Sequence, residues 1–428
     1  VATAAELEDA LERLYGGGRG SLEQIAATAE TAEEEDTEAD VARLRDQASE
    51  APVIRIVNLL IAKAVEARAS DIHIEPFEAS LRVRYRVDGV LREVEAPPAR
   101  LRAAVISRIK IMAKLNIAEH RLPQDGRIKI VVRGKEIDLR VSTLPSLHGE
   151  GVVLRILDRQ GVVLDFDALG FDAETKATLR GLLEKPNGIL LVTGPTGSGK
   201  TTTLYTALKE LNAPEKKILT VEDPVEYQLD GVNQIQVRPK IGLTFAHVLR
   251  AILRQDPDIV MIGEIRDLET AQIAVQAALT GHLVLATVHT NTAAATITRL
   301  LDMGVEDYLL TSTLVGILAQ RLVRRLCPNC HEAQAALPEL AQQIDPSGAP
   351  VTLYQPKGCP QCNGSGYHGR AGILEILPMG DEIRRLVLRH AESRELHKAA
   401  VAGGMRSMYQ DGLAKARAGV TSFEEVAR

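Results

Sequence analysis

Residues 194–201 read GPTGSGKT and fit the spacing G-x-x-x-x-G-K-[ST] in full. The apolar run 189–192 precedes them and a helical pattern follows, which is the context of a phosphate-binding loop. Glycines let backbone N–H groups close on phosphate oxygens, and a helix N-terminus favours the anion. We expect Lys200 to bridge phosphate oxygens and Thr201 to ligate Mg²⁺; the alternative is a glycine-rich turn without a ligand. The candidate nucleotide ligands in this stretch are Gly194, Pro195, Thr196, Gly197, Ser198, Gly199, Lys200, Thr201 and Thr202.

Polar side chains also stand at the ends of three other apolar, strand-like runs. Glu264 follows residues 259–262, where a carboxylate beside the loop could orient an attacking water. Taken alone, each acidic residue could instead be an ordinary salt-bridge partner, and each histidine could have a purely structural role. Because α/β sheets bind ligands at the carboxyl ends of their strands, we expect the group as a whole to be functional. The further members are Glu222 and Asp223 after residues 218–221, and His289 after residues 283–288, with His282 at the start of that run.

The four cysteines form two C-x₂-C pairs, Cys327/Cys330 and Cys359/Cys362, separated by 28 residues. Paired C-x₂-C knuckles suit tetrahedral Zn²⁺, and the long spacer permits a loop between them. No open coordination position is evident, so we expect a structural site. The alternatives are four unbound thiols or a redox pair.

Four arginines are candidates for neutralising phosphate charge. Arg250 and Arg254 lie four residues apart on one predicted helix face, whereas Arg140 and Arg155 lie in β-patterned segments. A single surface arginine is usually only solvated. In a nucleotide-driven motor, arginines neutralise the γ-phosphate across an interface.

A chain of 428 residues predicts two or three domains. A net charge of −6, no Trp and only 3% aromatic residues argue against a general nucleic-acid binder. No apolar run reaches the roughly 18 residues of a transmembrane helix. The N-terminus lacks a signal-peptide pattern and an initiator Met, so we expect a shortened chain. Four cysteines in a large chain with this loop indicate a reducing compartment.

The chain divides into two regions with different sequence patterns. A helix is predicted from Val53 to Ala67, then a strand at Ile72 to Glu75 and hairpins at Asp88-Gly89 and Arg133-Gly134, which indicate a small α+β domain. After residue 170 short apolar runs alternate with helical patterns, which predicts a parallel sheet covered on both faces. Before residue 51 the sequence has helical spacing at Leu7, Leu11 and Leu14 and an acidic run at residues 33–36 that is typical of a solvated linker.

Taken together, these stretches resemble the secretion ATPases of the type II secretion and type IV pilus machineries, over nearly everything from residue 51 onward. The paired cysteines are similar to those of assembly-type members, which pilus retraction ATPases lack. Two stretches, NIAEHRLPQDGRI and STLPSLHGEGVVLRILDR, look most like the E components of type II secretion. The segments that carry the resemblance are ASDIHIEP, RYRVDGVLREV, NIAEHRLPQDGRI, DLRVSTLPSLHGEGVVLRILDR, the phosphate-binding loop, VEDPVEY, LRQDPDIVMIGEIRD, TGHLVLATVHTN and GYHGRAGILEIL.

The resemblance implies an α/β fold: a RecA-like P-loop motor domain with a parallel sheet, preceded by a smaller PAS-like α+β domain and carrying a four-cysteine zinc subdomain. It implies ATP, Mg²⁺ and Zn²⁺ as cofactors, Glu264 as the Walker B carboxylate, Glu222 as that of the Asp box, and His282 and His289 as the His box. Arg140 and Arg155 match arginines that approach the γ-phosphate, and Arg250, Arg254 and Arg266 match the family's further arginines. The implied divisions are a remnant of a docking domain with an acidic linker at 1–50, the PAS-like domain at 51–158, a linker at 159–170, the motor at 171–326, the zinc subdomain at 327–368 and a helical segment at 369–428.

The implied activity is ATP hydrolysis by a homo-hexamer that drives pseudopilus assembly at the cytoplasmic face of a bacterial inner membrane. Implied partners are the platform protein and the membrane-anchored L component, although the docking domain for the latter is largely missing. Neither nucleic acid nor a transmembrane segment is expected. The alternatives are a pilus-extension ATPase, a RecA-like nucleic-acid translocase, and a nucleotide-gated scaffold that barely turns over.

Overall fold

A computed structural model describes residue 22 and residues 44–157, 163–344, 347 and 349–428. The chain divides into two compact units, residues 1–162 and residues 163–428. The predicted helix around Leu7, Leu11 and Leu14, the acidic run, and residues 159–162 of the predicted linker lie outside the described residues. Within the described residues, no helix is long and apolar enough to cross a bilayer.

The first unit packs two helices against one face of a six-stranded antiparallel sheet. Its elements are α1 (Ala51–Glu66), β1 (Ala69–Pro76), β2 (Leu81–Val87), β3 (Val90–Val94), α2 (Arg102–Met112), β4 (Gln124–Val132), β5 (Lys135–Ser146) and β6 (Gly149–Leu157). The order of the strands in the sheet is β3-β2-β1-β6-β5-β4. Apolar residues alternate along the central strands, so one face joins the helices in a core that includes Ile72, Leu139 and Leu154. The predicted α+β domain is confirmed.

Both predicted hairpins are present. Asp88 and Gly89 connect β2 to β3 with φ angles of 50° and 84°, and Arg133 and Gly134 connect β4 to β5 with 49° and 76°. Two successive positive φ angles match the twist of the flanking strands and explain the X-Gly pair at each turn.

The second unit is built on a seven-stranded sheet. Its strands are β7 (Gly188–Thr193), β8 (Ile218–Glu222), β9 (Asn233–Gln236), β10 (Ile259–Ile262), β11 (Leu283–Val288), β12 (Leu314–Leu326) and β15 (Tyr367–Pro378). Their order in the sheet is β15-β12-β7-β11-β10-β8-β9. The four predicted apolar strands are the neighbours β7, β11, β10 and β8, all parallel and almost wholly buried because helices cover both faces. Its helices are α3 (Ala173–Leu183), α4 (Lys200–Leu211), α5 (Phe245–Ile252), α6 (Leu268–Leu279), α7 (Ala293–Asp302) and α8 (Asp307–Thr313).

The sheet is larger than predicted, because β15 pairs antiparallel with the long strand β12. The segment 369–428, predicted to be helical, therefore begins inside a strand and is helical only from Asp381 onward. The cysteine-bearing insertion between β12 and β15 holds the ribbon β13 (His331–Ala335) and β14 (Thr352–Pro356) with α9 (Pro338–Ile344). The C-terminal helices are α10 (Asp381–Leu388), α11 (Ser393–Ala402), α12 (Met408–Arg417) and α13 (Phe423–Ala427).

Candidate active site and metal centre

The phosphate-binding loop connects β7 to α4, and its glycines take backbone angles that other residues avoid. Gly194, Gly197 and Gly199 have φ of 147°, 79° and 88°. A Cβ on Gly194 would collide with the carbonyl oxygen of Gln320 on β12. Lys200 and Thr201 begin α4, so backbone N–H groups and the positive end of a helix stand at this loop.

Lys200 is almost completely buried, and its ammonium lies inside the loop. Nζ donates to the carbonyl oxygens of Gly194 at 2.8 Å and Pro195 at 3.1 Å. Burial lowers the pKa of Lys200, and the nearby Glu264 carboxylate opposes that shift. The carboxylate predicted to serve this site is thus close enough to influence the lysine.

Glu264 lies one residue beyond the end of β10, after Gly263, and is held from two sides. One oxygen lies 2.7 Å from a guanidinium nitrogen of Arg266, and the other lies 3.1 Å from Nε2 of His289, which directly follows β11. The hydrogen bond to Glu264 raises the pKa of Arg266. The structure brings Lys200, Glu264, Arg266 and His289 together because β7, β11 and β10 are adjacent parallel strands whose carboxyl ends meet.

The surroundings of His289 disfavour the protonated form of its imidazole. Burial lowers its pKa below 6.5, and the Lys200 cation adds to that effect, while Glu264 opposes it. A neutral ring with Nε2–H donating to the Glu264 carboxylate fits the 3.1 Å contact.

Glu222 belongs to a separate hydrogen-bond network. Its buried carboxylate accepts from the hydroxyl of Tyr205, from Thr220 Oγ1 at 2.5 Å and from Gln234 Nε2 at 3.1 Å. Burial raises its pKa, and these donors oppose the shift. Its described partners therefore tie β8, β9 and α4 together rather than joining the Glu264 cluster.

The remaining predicted residues of this unit lie away from that cluster. His282 stands at the amino end of β11, the sheet edge opposite the loop, with Nδ1 2.8 Å from the Ala277 carbonyl oxygen. Arg250 pairs with Glu269 at 2.5 Å, and Arg254 donates to the Arg250 carbonyl oxygen at 2.8 Å. Within one chain the structure does not bring these three side chains to Lys200.

Arg140 and Arg155 belong to the first unit and lie directly opposite each other on β5 and β6. They share the sheet face that the helices do not cover, where Arg127 on β4 stands opposite Arg140. Arg155 donates from Nε to Asp71 at 2.9 Å. Arg127, Arg140 and Arg155 therefore form a row of cationic side chains across three neighbouring strands, which we call the cationic row.

Two polar residues that sequence reasoning passed over also contact this region. Thr287 on β11 donates to the Gly263 carbonyl oxygen at 2.5 Å, which ties the turn before Glu264 to the neighbouring strand. Gln320 on β12 hydrogen-bonds to the phosphate-binding loop. Its one sequence signal is a polar amide inside the apolar run LVGILAQRLV.

The four cysteine sulfurs form a compact cluster, all within 4.8 Å of one another. Cys327 and Cys359 are 3.8 Å apart, Cys330 and Cys362 are 3.8 Å apart, and Cys359 and Cys362 are 3.7 Å apart. Zn–S bonds of about 2.3 Å in a tetrahedron place the sulfurs about 3.8 Å apart, so the cluster fits Zn²⁺. The N–H groups of Cys359 and Gly366 also point at the Cys362 sulfur, at 3.1 and 3.2 Å, as a thiolate ligand favours.

Comparison with known proteins places these features in context. The profile of the family described as "Type II/IV secretion system protein" matches residues 46–428. A type II secretion system protein E of Xanthomonas campestris is 61% identical over 433 residues, covering 100% of this chain and 76% of that protein. The type IV pilus assembly ATPase PilB of Myxococcus xanthus is 50% identical over 437 residues, again covering 100% and 76%.

A solved structure has a similar fold. The crystal structure of the pilus retraction motor PilT with bound ADP aligns with a TM-score of 0.56 and 27% identity, covering 86% of this chain and 95% of that one.

Proposed function

The chain belongs to the type II/IV secretion system protein family, and we propose that it hydrolyses ATP to drive pseudopilus assembly and protein export by a type II secretion system. The observation that carries this proposal is the convergence of Lys200, Glu264 and His289 at the mouth of a complete phosphate-binding loop. The higher identity to a type II secretion E protein favours that system over pilus extension.

Different residues bind the nucleotide and activate the attacking water. The loop N–H groups and Lys200 hold the β- and γ-phosphates, and Thr201 offers its hydroxyl to Mg²⁺, which when bound neutralises phosphate charge. Glu264 orients a water whose oxygen bonds to the γ-phosphorus as the bond to the β–γ bridging oxygen breaks, and it takes the water's proton. His289 and Arg266 fix the direction of that carboxylate.

The cationic row of the first unit supplies the coupling in this proposal. Arg140 and Arg155 approach the γ-phosphate when ATP is bound, and the first unit moves when that charge leaves. The work is done by a homo-hexamer on the cytoplasmic side of the inner membrane, where it contacts the platform protein and the L component. The four cysteines hold Zn²⁺ as a structural centre.

The first test is ATPase activity per chain against protein concentration, with Mg²⁺, with and without single-stranded DNA. Activity that rises with concentration, ignores DNA and disappears in Lys200→Ala supports an assembling motor. Flat activity that DNA stimulates would instead favour a nucleic-acid translocase. Nucleotide binding without measurable turnover would favour the scaffold.

Complementation separates the two secretion assignments. The chain would be joined to the part of the Xanthomonas relative that it does not cover and expressed in a strain lacking that relative. Restored protein export supports the type II assignment. Restored pili in a Myxococcus strain lacking PilB, without restored export, would move pilus extension to first place.

A further inference from the structure

Gln320 is a polar residue in an apolar place. It lies near the middle of β12, its side chain is 2% exposed, and its strand neighbours Leu318 and Ala319 are completely buried. A buried amide without partners would destabilise the fold. Its hydrogen bonds therefore show what the residue does.

Both ends of the Gln320 amide bond to the phosphate-binding segment. Nε2 donates to the Ser198 carbonyl oxygen at 2.6 Å, and Oε1 accepts from Thr203 Oγ1 on α4 at 2.8 Å. The backbone carbonyl of Gln320 also stands against Gly194, leaving no room for a Cβ there. One strand residue thus contacts the beginning of the loop, its last peptide group and the helix that follows.

The contact to Ser198 sets the direction of the next N–H group. In a planar trans peptide the C=O and the following N–H point in opposite directions. Because the Ser198 carbonyl is held toward β12, the Gly199 N–H is aimed away from β12. The Ser198 carbonyl oxygen can only accept, so it fixes which end of the Gln320 amide carries the donor, and the Thr203 hydroxyl donates to the other end.

We propose that Gln320 is a positioning residue that orients the Ser198–Gly199 peptide so that the Gly199 N–H meets a nucleotide phosphate. The inference rests on the proposed nucleotide binding and adds a residue outside the loop to it. Because a phosphate is held before and during hydrolysis, the contribution is to binding in both states.

The test compares variants that separate orientation from packing. Gln320→Met keeps the length of the side chain and removes both hydrogen bonds. Thr203→Val removes only the bond that holds the Gln320 Oε1 atom, and Thr203→Ser keeps that hydroxyl. Val323→Ala, on the opposite face of β12, is the control for lost packing. The readouts are KM, kcat, the thermal unfolding midpoint, and the Kd of a fluorescent ADP analogue.

We expect Gln320→Met to raise KM and Kd about tenfold, which corresponds to one lost hydrogen-bonded contact, with kcat within about twofold of the parent. Thr203→Val should raise both about threefold, and Thr203→Ser should match the parent. Val323→Ala should lower the unfolding midpoint without changing KM.

Normal KM and Kd in Gln320→Met, or changes that only follow its stability as in Val323→Ala, would overturn the inference. If Gln320→Met does not fold, normal nucleotide affinity in Thr203→Val overturns it instead. A parent protein that binds no nucleotide would defeat the proposed function as well, which distinguishes the two failures.

Discussion

His289 Nε2 lies 3.1 Å from a carboxylate oxygen of Glu264, although 24 residues of chain separate the two side chains. The contact joins the ends of the neighbouring parallel strands β10 and β11. Arg266 holds the other oxygen at 2.7 Å, so the carboxylate is fixed in one direction beside Lys200. A fixed carboxylate can orient a water without first reorganising itself.

Removing the charge of that carboxylate should stop turnover while leaving nucleotide bound. We expect Glu264→Gln to lower kcat by about 100-fold or more, the usual contribution of a positioned base. The Kd for ADP should change by less than about threefold, because Glu264 acts on water rather than on phosphate. Steady-state kinetics and ADP titration measure the two effects.

The matched control is Glu215→Gln, an exposed glutamate in the connection between α4 and β8. It should leave both parameters unchanged. Turnover in Glu264→Gln that equals the parent's would assign the base to another residue.

The protonation of His289 should respond to Lys200. The Lys200 cation disfavours a second positive charge, so Lys200→Ala should raise the pKa of His289 toward 6.5. NMR titration of labelled imidazoles measures it, with His289→Gln assigning the signal and Lys216→Ala, an exposed lysine, as control. An unchanged His289 pKa in Lys200→Ala would contradict this electrostatic contact.

The lowered pKa of His289 also determines how the stability of the protein depends on pH. Because the folded pKa of His289 is below 6.5, the unfolded chain binds more protons as the solution is acidified. The contribution of His289 to the free energy of unfolding is thus present above pH 6.5 and is lost as pH falls through the folded pKa. Relative to the parent, His289→Gln should lose less stability over that window in urea unfolding.

The cysteine cluster should bind one Zn²⁺ per chain. Cys330→Ser removes one of four sulfur ligands and should lower the zinc content well below one per chain in elemental analysis. The thermal unfolding midpoint should fall with it, because metal binding stabilises the folded insertion. Asn329→Ser, which leaves every thiol in place, should keep its zinc. Equal zinc content in the two variants would contradict a site built from all four cysteines.

A buried ionic network should stabilise the C-terminal part of the second unit. The Asp411 carboxylate is 1% exposed and accepts hydrogen bonds from Lys415 Nζ at 2.6 Å and from the Leu374 N–H at 2.8 Å. A guanidinium nitrogen of Arg406 lies 2.9 Å from its other oxygen. Asp411→Asn leaves Lys415 buried without its counter-ion, and we expect a loss of about 3–5 kcal/mol in urea unfolding.

The exposed Asp381→Asn should change stability little. Adding Lys415→Met to Asp411→Asn should recover part of the loss, because the unpaired charge is then gone. A double variant less stable than Asp411→Asn alone would contradict an electrostatic origin.

Much of the candidate site could be predicted from sequence because its signals are local. The glycine spacing of residues 194–199 reports backbone angles that only glycine tolerates, and the apolar run before it reports a buried strand. The cysteine pairs are local signals too, since each pair spans a single turn of chain. Such patterns need no knowledge of the partners across the fold.

Strand order, by contrast, was decided only in the tertiary structure. Residues at the ends of β8, β10 and β11 looked equivalent in sequence, yet Glu264 and His289 meet while Glu222 bonds to Tyr205, Thr220 and Gln234. The partner of a strand-end side chain depends on which strand lies beside it and on what packs above it. Neither is encoded in the spacing along one segment.

The sequence by itself thus determined the phosphate-binding loop, the paired thiols, the hairpins and the four central strands, because each depends on residues close together in the chain. Only the tertiary structure decided that β12 and β15 extend the sheet, that Arg140 faces Arg155, and that Gln320 contacts the loop. Those relationships join residues far apart in sequence, and packing and hydrogen bonding across the folded sheet select them.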